Sequence, residues 1–327
     1  MRKRMAAHVG MALALASAMA LTGCSGSASE AGGSEDTFKV AAFTAGYGTP
    51  GGKSTLDDFV EKGEALGWDV TLYTSEFDYD KINSDVNSAI TQGVDAVLAG
   101  FPDPRQVSPL VNAAKNANIP IFSIDGGVEP NDDFVVDVTF QQQQLADLTV
   151  GALEEAMGGL SGKNVMVIGH DPHIGIMTRS HIAEELLKAG GANIAGGEIK
   201  QVLNPGTSQE EALKFVTDYL QANPEGLDGV WVGWDHAAIG AVQAINEAGR
   251  TDIAVTGVDA VGIALAEIKK NGPFTATVVQ DWPKVLDLVV EDMTAYAESG
   301  AKPAENFVET DVTLVDSTNV DDTEPTD

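Results

Sequence analysis

Two hydrophobic rhythms alternate along most of this chain. Short runs of Val, Ile, Phe and Ala occupy residues 38–44, 69–73, 96–99 and 119–124. Between them lie longer stretches, 53–66, 80–92 and 107–117, whose apolar residues return every three or four positions. Short apolar runs predict strands, and the longer spacing predicts amphipathic helices. The pattern restarts with a strand at 134–138, read as a crossover, and a long helix at 141–157. Strand–helix pairs follow at 164–168 and 177–189, 195–202 and 208–222, 230–232 and 237–248, 253–256 and 260–270, and 274–279 and 283–299. A strand at 310–314 closes the body. Gly67 and Gly93 stand where helix C-caps belong, and Pro283 where a helix takes its first turn.

Alternating β and α predicts parallel sheets covered by helices. The runs outnumber the strands of one ordinary sheet, so the expected fold class is α/β, with two doubly wound parallel-sheet lobes. In such sheets ligands bind outside the carboxyl ends of the strands. The residues directly after each strand are therefore the ones that carry function.

The ends of the chain break the rhythm. Arg2, Lys3 and Arg4 precede an apolar stretch over 9–21 that is too short and small-residued for a comfortable membrane span. Residues 1–23 read as a secretory signal peptide. The stretch ends in Leu21-Thr22-Gly23-Cys24, which looks like a bacterial lipobox, so Cys24 is the expected lipidation site. Each buried acyl CH₂ contributes about 0.8 kcal/mol, which would hold the protein at a membrane surface. Residues 24–36 read as a flexible tether and 317–327 as a disordered acidic tail.

Composition narrows the function classes. With 19 basic and 49 acidic residues, the formal net charge is -30, the opposite of a nucleic-acid footprint. One cysteine excludes an intrachain disulfide framework. Gly46-Tyr47-Gly48-Thr49-Pro50-Gly51 matches the spacing of a dinucleotide turn. Pro50 removes a backbone donor from that turn, and the acidic partner expected at the end of the second strand is missing, Glu76 coming roughly ten positions late. No cofactor is expected.

Several strand ends carry ligand chemistry. Gly100-Phe101-Pro102-Asp103 follows the third strand and Asp125-Gly126-Gly127 the fourth, where Asp125 suits a hydroxyl acceptor or a turn cap. In the second half, Gly233-Trp234-Asp235, Gly257-Val258-Asp259 and Gln280-Asp281-Trp282 follow strands, and Arg179 opens a helix. Carboxylates and guanidinium groups form charge-assisted bonds to hydroxyls, and an aromatic face covers the C–H side of a ring. Trp68 and Trp231 are assigned to the core, Trp234 to the ligand.

These residues carry a family resemblance over nearly all of 37–315. Ile119-Pro120-Ile121-Phe122-Ser123-Ile124-Asp125, Arg179, Trp234-Asp235-His236-Ala237-Ala238-Ile239-Gly240-Ala241, Gly257-Val258-Asp259 and Phe274-Thr275-Ala276-Thr277-Val278-Val279-Gln280 resemble motifs of the substrate-binding proteins of bacterial sugar ABC transporters. These are ribose-binding-protein-like, with the type I periplasmic fold. The resemblance implies sugar contacts from Asp125, Arg179, Asp259 and Gln280, with Phe43, Tyr47, Phe101 and Trp234 supplying first-strand-loop and aromatic surface. It implies a lobe of 37–138 plus 281–309 and a second of 139–280 plus 310–316. The crossings would fall near Val138-Thr139, Gln280-Asp281 and Thr310. The family often has Asn where Trp234 stands, which makes plain ribose a poorer candidate. The implied protein is a monomer outside the cytoplasm, anchored by lipid on Cys24, that captures a monosaccharide or polyol and delivers it to an ABC permease. A receptor module for a signalling or chemotaxis sensor would read the same closed form.

Other classes find less support. His170, His173 and His181 lie near Asp171, a composition that zinc sites favour. Pro172 and the glycines around it favour a polar loop instead, and no metal is expected. No G-x-S-x-G, H-E-x-x-H or P-loop occurs, so no enzyme is expected. A sugar-responsive repressor would carry a DNA-binding N-terminus, where this chain has a signal peptide and a tether.

Overall fold

The crossover connections that the pattern predicts sort the strands into two sheets. A computed structural model describes residues 37–326. The expected signal peptide, Cys24 and the tether lie outside the described residues. The first lobe begins β1 (Lys39–Thr44), α1 (Pro50–Ala65), β2 (Asp69–Thr74), α2 (Tyr79–Gln92), β3 (Ala96–Gly100), α3 (Ser108–Ala117), β4 (Ile121–Ile124) and β5 (Val136–Phe140). The second follows with α4 (Gln142–Met157), β6 (Asn164–Gly169), α5 (Ile174–Ala189), β7 (Asn193–Ile194), β8 (Lys200–Gln201), α6 (Ser208–Ala222), β9 (Gly229–Val232), α7 (Asp235–Glu247), β10 (Ala254–Thr256), α8 (Gly262–Ile268) and β11 (Phe274–Val279). The chain then returns through α9 (Trp282–Ser299) and β12 (Phe307–Thr310) before β13 (Thr313–Asp316).

The six-stranded sheet runs β12-β5-β4-β3-β1-β2, and the seven-stranded one β13-β11-β10-β9-β6-β7, with β8 also on β6. Every pairing is parallel except β11 with β13. Strand alternation feeds two cores per lobe. In β1, Val40 and Ala42 pack with Leu56, Phe59, Val285 and Val289 of α1 and α9, while Ala41 and Phe43 pack with Ile82, Val86, Leu110 and Val111 of α2 and α3. In β6, Met166 and Ile168 face α6, α7 and α8, while Val165 and Val167 join Trp231 against α4 and α5. Trp68 and Trp231 are core residues, the latter donating its indole N–H to Thr149 Oγ1 at 2.8 Å.

The structure corrects the sequence at four places. The segment 195–202 is not one strand: Gly196 and Gly197, at φ +81° and +80°, turn the chain between β7 and β8. The closing strand at 310–314 is two strands, β12 in one sheet and β13 in the other. The first crossing falls after Phe140 rather than at 138–139, because β5 continues its register with β12 through Thr310 and Phe140. Residues 317–326, expected to be disordered, are ordered against the second lobe. Val320 is buried in its core, and Asn319 accepts the Asp316 N–H and donates to Leu314 O.

Candidate functional site

The strands of both lobes aim their carboxyl ends at one cavity of about 540 Å³. That volume suits a small ligand. Six of the eight predicted ligand residues line it: Phe101, Asp125, Arg179, Trp234, Asp259 and Gln280. Phe43 does not. The alternation of β1 turns it into the α2/α3 core, where it is fully buried. Tyr47 is also absent from the lining; its hydroxyl donates to Asp57 Oδ1 at 2.8 Å, and Lys53 Nζ sits 5.1 Å from its ring centroid. Tyr47 is engaged with α1 instead.

Four lining residues follow strands with backbone that L-residues rarely adopt: Phe77 at φ +61°, Phe101 at +54°, Asp125 at +52° and Asp259 at +123°. Such strain persists where surrounding structure over-determines it, and it gathers at functional sites. Around Asp125 the over-determination is visible. Its N–H donates to Val138 O at 2.9 Å, and the next residue, Gly126, leaves no room for a side chain, since a Cβ there would lie 2.2 Å from Ser123 Oγ.

Asp125 projects from the first lobe. Its Oδ1 accepts from Thr139 Oγ1 at 2.5 Å, and its Oδ2 lies 3.4 Å from His173 Nε2 of the second lobe. His173 Nδ1 accepts the Ile176 N–H at 3.3 Å, capping α5. In the neutral ring the proton therefore sits on Nε2, facing Asp125. Removal from water holds His173 low, at about 4, against the attraction of Asp125. His170 is also held low by burial. Its Nδ1 lies 2.8 Å from Val202 O, a group that only accepts, so Nδ1 carries the proton and Nε2 offers a lone pair.

Arg179 is 3% exposed and anchored from behind, Nε donating to Gly233 O at 2.9 Å and Nη1 to Gln142 Oε1 at 3.1 Å. Desolvation pushes its pKa down while Asp259 and Asp125 pull it up, and arginine's ordinary value is high enough to keep the charge. Asp259 sits on a loop clamped by β11, with its N–H on Val278 O at 2.9 Å and the next N–H on Thr277 Oγ1 at 3.2 Å. Behind it Asp235 is fully buried; desolvation and the Asp259 charge push its pKa far up, while Thr277 and the Val261 N–H donate to it. Gln280, 1% exposed at the second crossing, has no hydrogen-bond partner for its Nε2 among the described residues. A buried amide donor aimed into a cavity is a strong pointer to a ligand acceptor.

Sequence reading missed some of the lining. Trp282 at the start of α9 packs edge-on to Phe101, with centroids 5.0 Å apart, and edge-on to Phe140 at 4.7 Å. Its place directly after the Gln280-Asp281 crossing was the available signal. His170 and His173 were read as residues of a polar loop, with a zinc site weighed and set aside. The structure gives His170, His173 and His181 three different partners, Val202, Asp125 and Asp171. Among the described residues no cluster of three or more His, Cys, Asp or Glu is placed to hold a metal. Glu76, too late for a dinucleotide turn, lines the cavity beside Gly46.

Two sheets, three crossings and a largely apolar cavity between them, set with a few charged and amide groups, define a two-lobed solute-binding receptor. The chain belongs to the periplasmic binding protein domain family, whose model matches residues 41–302. It is 27% identical to a D-apiose import binding protein of Actinobacillus succinogenes, over 87% of this chain and 90% of that protein. It is 27% identical to a xylitol-binding protein of Mycolicibacterium smegmatis, over 83% of this chain and 75% of that one. A solved ABC transporter solute-binding protein from Agrobacterium vitis with bound allitol superposes with a TM-score of 0.79 at 22% identity, covering 88% of this chain and 97% of that one. That likeness is one of fold. Among the described residues no helix is long and apolar enough to cross a membrane.

Proposed function

We propose that this chain captures a neutral monosaccharide or short polyol between its lobes and delivers it to an ABC importer in the membrane. The observation that carries the reading is the unpartnered Gln280 Nε2, in a cavity that also presents Asp125, Asp259 and the anchored Arg179. Alternating donors and acceptors of this kind match vicinal hydroxyls. Phe101, Trp234 and Trp282 supply apolar faces for the C–H surface. Glu76, Asp125 and Asp259 outnumber the one arginine, and His173 is held neutral, so sugar acids are disfavoured. The relatives named for D-apiose and xylitol support a five-carbon ligand class. The proposal involves no chemical step: binding draws the lobes together, and the closed form docks on the permease. The motif ending in Cys24 supports export behind a signal peptide of residues 1–23 and lipid anchoring of a monomer through the tether.

The test is a thermal-shift screen of residues 37–327 against D-apiose, xylitol, D-ribose, D-xylose and myo-inositol, with D-glucuronate and zinc as controls. A ligand at 100 times its Kd should add about 2.7 kcal/mol. The expected result is a raised midpoint with one neutral sugar or polyol, lost in Asp259→Asn. A shift with glucuronate or zinc alone would overturn the reading.

A further inference from the structure

The ordered segment that follows β13 ends at the ligand cavity. It leaves the sheet at Asp316, makes a 3₁₀ turn over Val320–Asp322, and buries Val320 in the second lobe's core. Thr323 Oγ1 donates to Asn319 O at 3.0 Å, closing the turn, and Lys269 of the second lobe pairs with Asp321 at 3.2 Å. Pro325 then precedes Thr326, which lines the cavity. The Thr326 hydroxyl donates to Asp259 O at 2.8 Å, and its N–H to Ala260 O at 3.3 Å. Those two carbonyls belong to consecutive residues at φ +123° and +61°, the one adjacent pair of left-handed non-glycine residues among the described residues.

A strained pair of this kind needs restraint from more than one side. From the sheet side, the Asp259, Ala260 and Val261 N–H groups are taken by Val278 O, Thr277 Oγ1 and Asp235 Oδ2. From the other side, the bonds on the Asp259 and Ala260 carbonyls come from Thr326. We infer that residues 319–326 form a clasp and that Thr326 is a positioning residue, fixing the backbone that aims the Asp259 carboxylate beside Arg179. This rests on the proposed role of Asp259 in ligand capture, but its structural half does not.

The test therefore has two arms on the full chain, on Thr326→Val, on Thr326→Ser and on a deletion of residues 324–327. In the ligand-free proteins, hydrogen exchange of residues 257–262 is followed by mass spectrometry, with β6 as the internal control. Exchange in 257–262 should accelerate in the deletion and in Thr326→Val, stay at the parent rate in Thr326→Ser, and be unchanged in β6. In the second arm xylitol affinity is measured by calorimetry. It should fall about tenfold in the deletion and about threefold in Thr326→Val, with Thr326→Ser near the parent. Unchanged exchange in both the deletion and Thr326→Val overturns the clasp whatever the ligand is. Accelerated exchange with unaltered xylitol affinity overturns the positioning role. If the parent chain binds neither xylitol nor D-apiose, D-ribose, D-xylose or myo-inositol, the ligand reading fails while the exchange arm still decides the clasp; if it binds one of those four instead, the affinity arm is read with that compound.

Discussion

Asp137 stands opposite Ser123, on the strand next to the one that leads into Asp125. It is 1% exposed on β5, accepts the Gly126 N–H at 3.0 Å, and desolvation pushes its pKa up to about 6. A raised carboxyl favours its protonated form in the fold. The stability tied to that form is whole below the unfolded value near 3.8 and is lost as pH rises through about 6. Asp137→Asn keeps the acceptor for Gly126 and cannot ionise. Denaturation should find it about as stable as the parent at about pH 4, and more stable by up to about 3 kcal/mol at about pH 8. A gap that does not widen with pH would show that Asp137 titrates as it does in water. His173 runs the other way: its folded value of about 4 lies below 6.5, so its contribution holds above 6.5 and is lost as pH falls through about 4.

Elements carry these residues to one place, and their caps hold the crossings. Asp281 is the N-cap of α9, accepting the Lys284 N–H at 3.0 Å, and it sits at the second passage between lobes. Asp281→Ala should cost about 1 kcal/mol, seen as a fall of roughly 2 °C in the thermal midpoint by calorimetry. An unchanged midpoint would mean that α9 starts without help from its cap. Most elements were legible because each one's hydrophobic period, its glycine or proline punctuation and its length agree. β7 and β8 were not, since two-residue strands carry no period. The segment after Asp316 was misread because composition sees its acids and misses Val320, whose single apolar side chain finds the core. At the site, strand ends picked out Asp125, Asp259 and Gln280. Phe43 was assigned to the wrong face because the loop beyond β1, not the strand's alternation, was weighted. His173 could not be assigned, since its partner Asp125 lies on the other lobe and no local spacing encodes that meeting.

At the scale of the whole molecule the lobes touch across the cleft. Arg105 follows β3, is held by Asp103 through two bonds of 2.8 and 3.0 Å, and donates Nη2 to Asp171 O and Pro172 O of the second lobe at 3.2 and 3.1 Å. These bonds link the first lobe to the second, so a separation of the lobes would have to break them, and they favour the arrangement in which the lobes meet. Arg105→Ala should release ligand about tenfold faster in stopped-flow traces while the association rate changes little. A slower association with an unaltered release rate would place Arg105 in encounter rather than in closure. The left-handed backbone at Phe101, Asp125 and Asp259 has a consequence for how this receptor can be improved. Glycine would relax each of those positions and delete the side chain proposed to meet cargo. A library screened by heat alone should therefore drift toward glycine there and enrich sturdy proteins with empty hands. Selection must retain capture at every round if thermostability and recognition are to rise together.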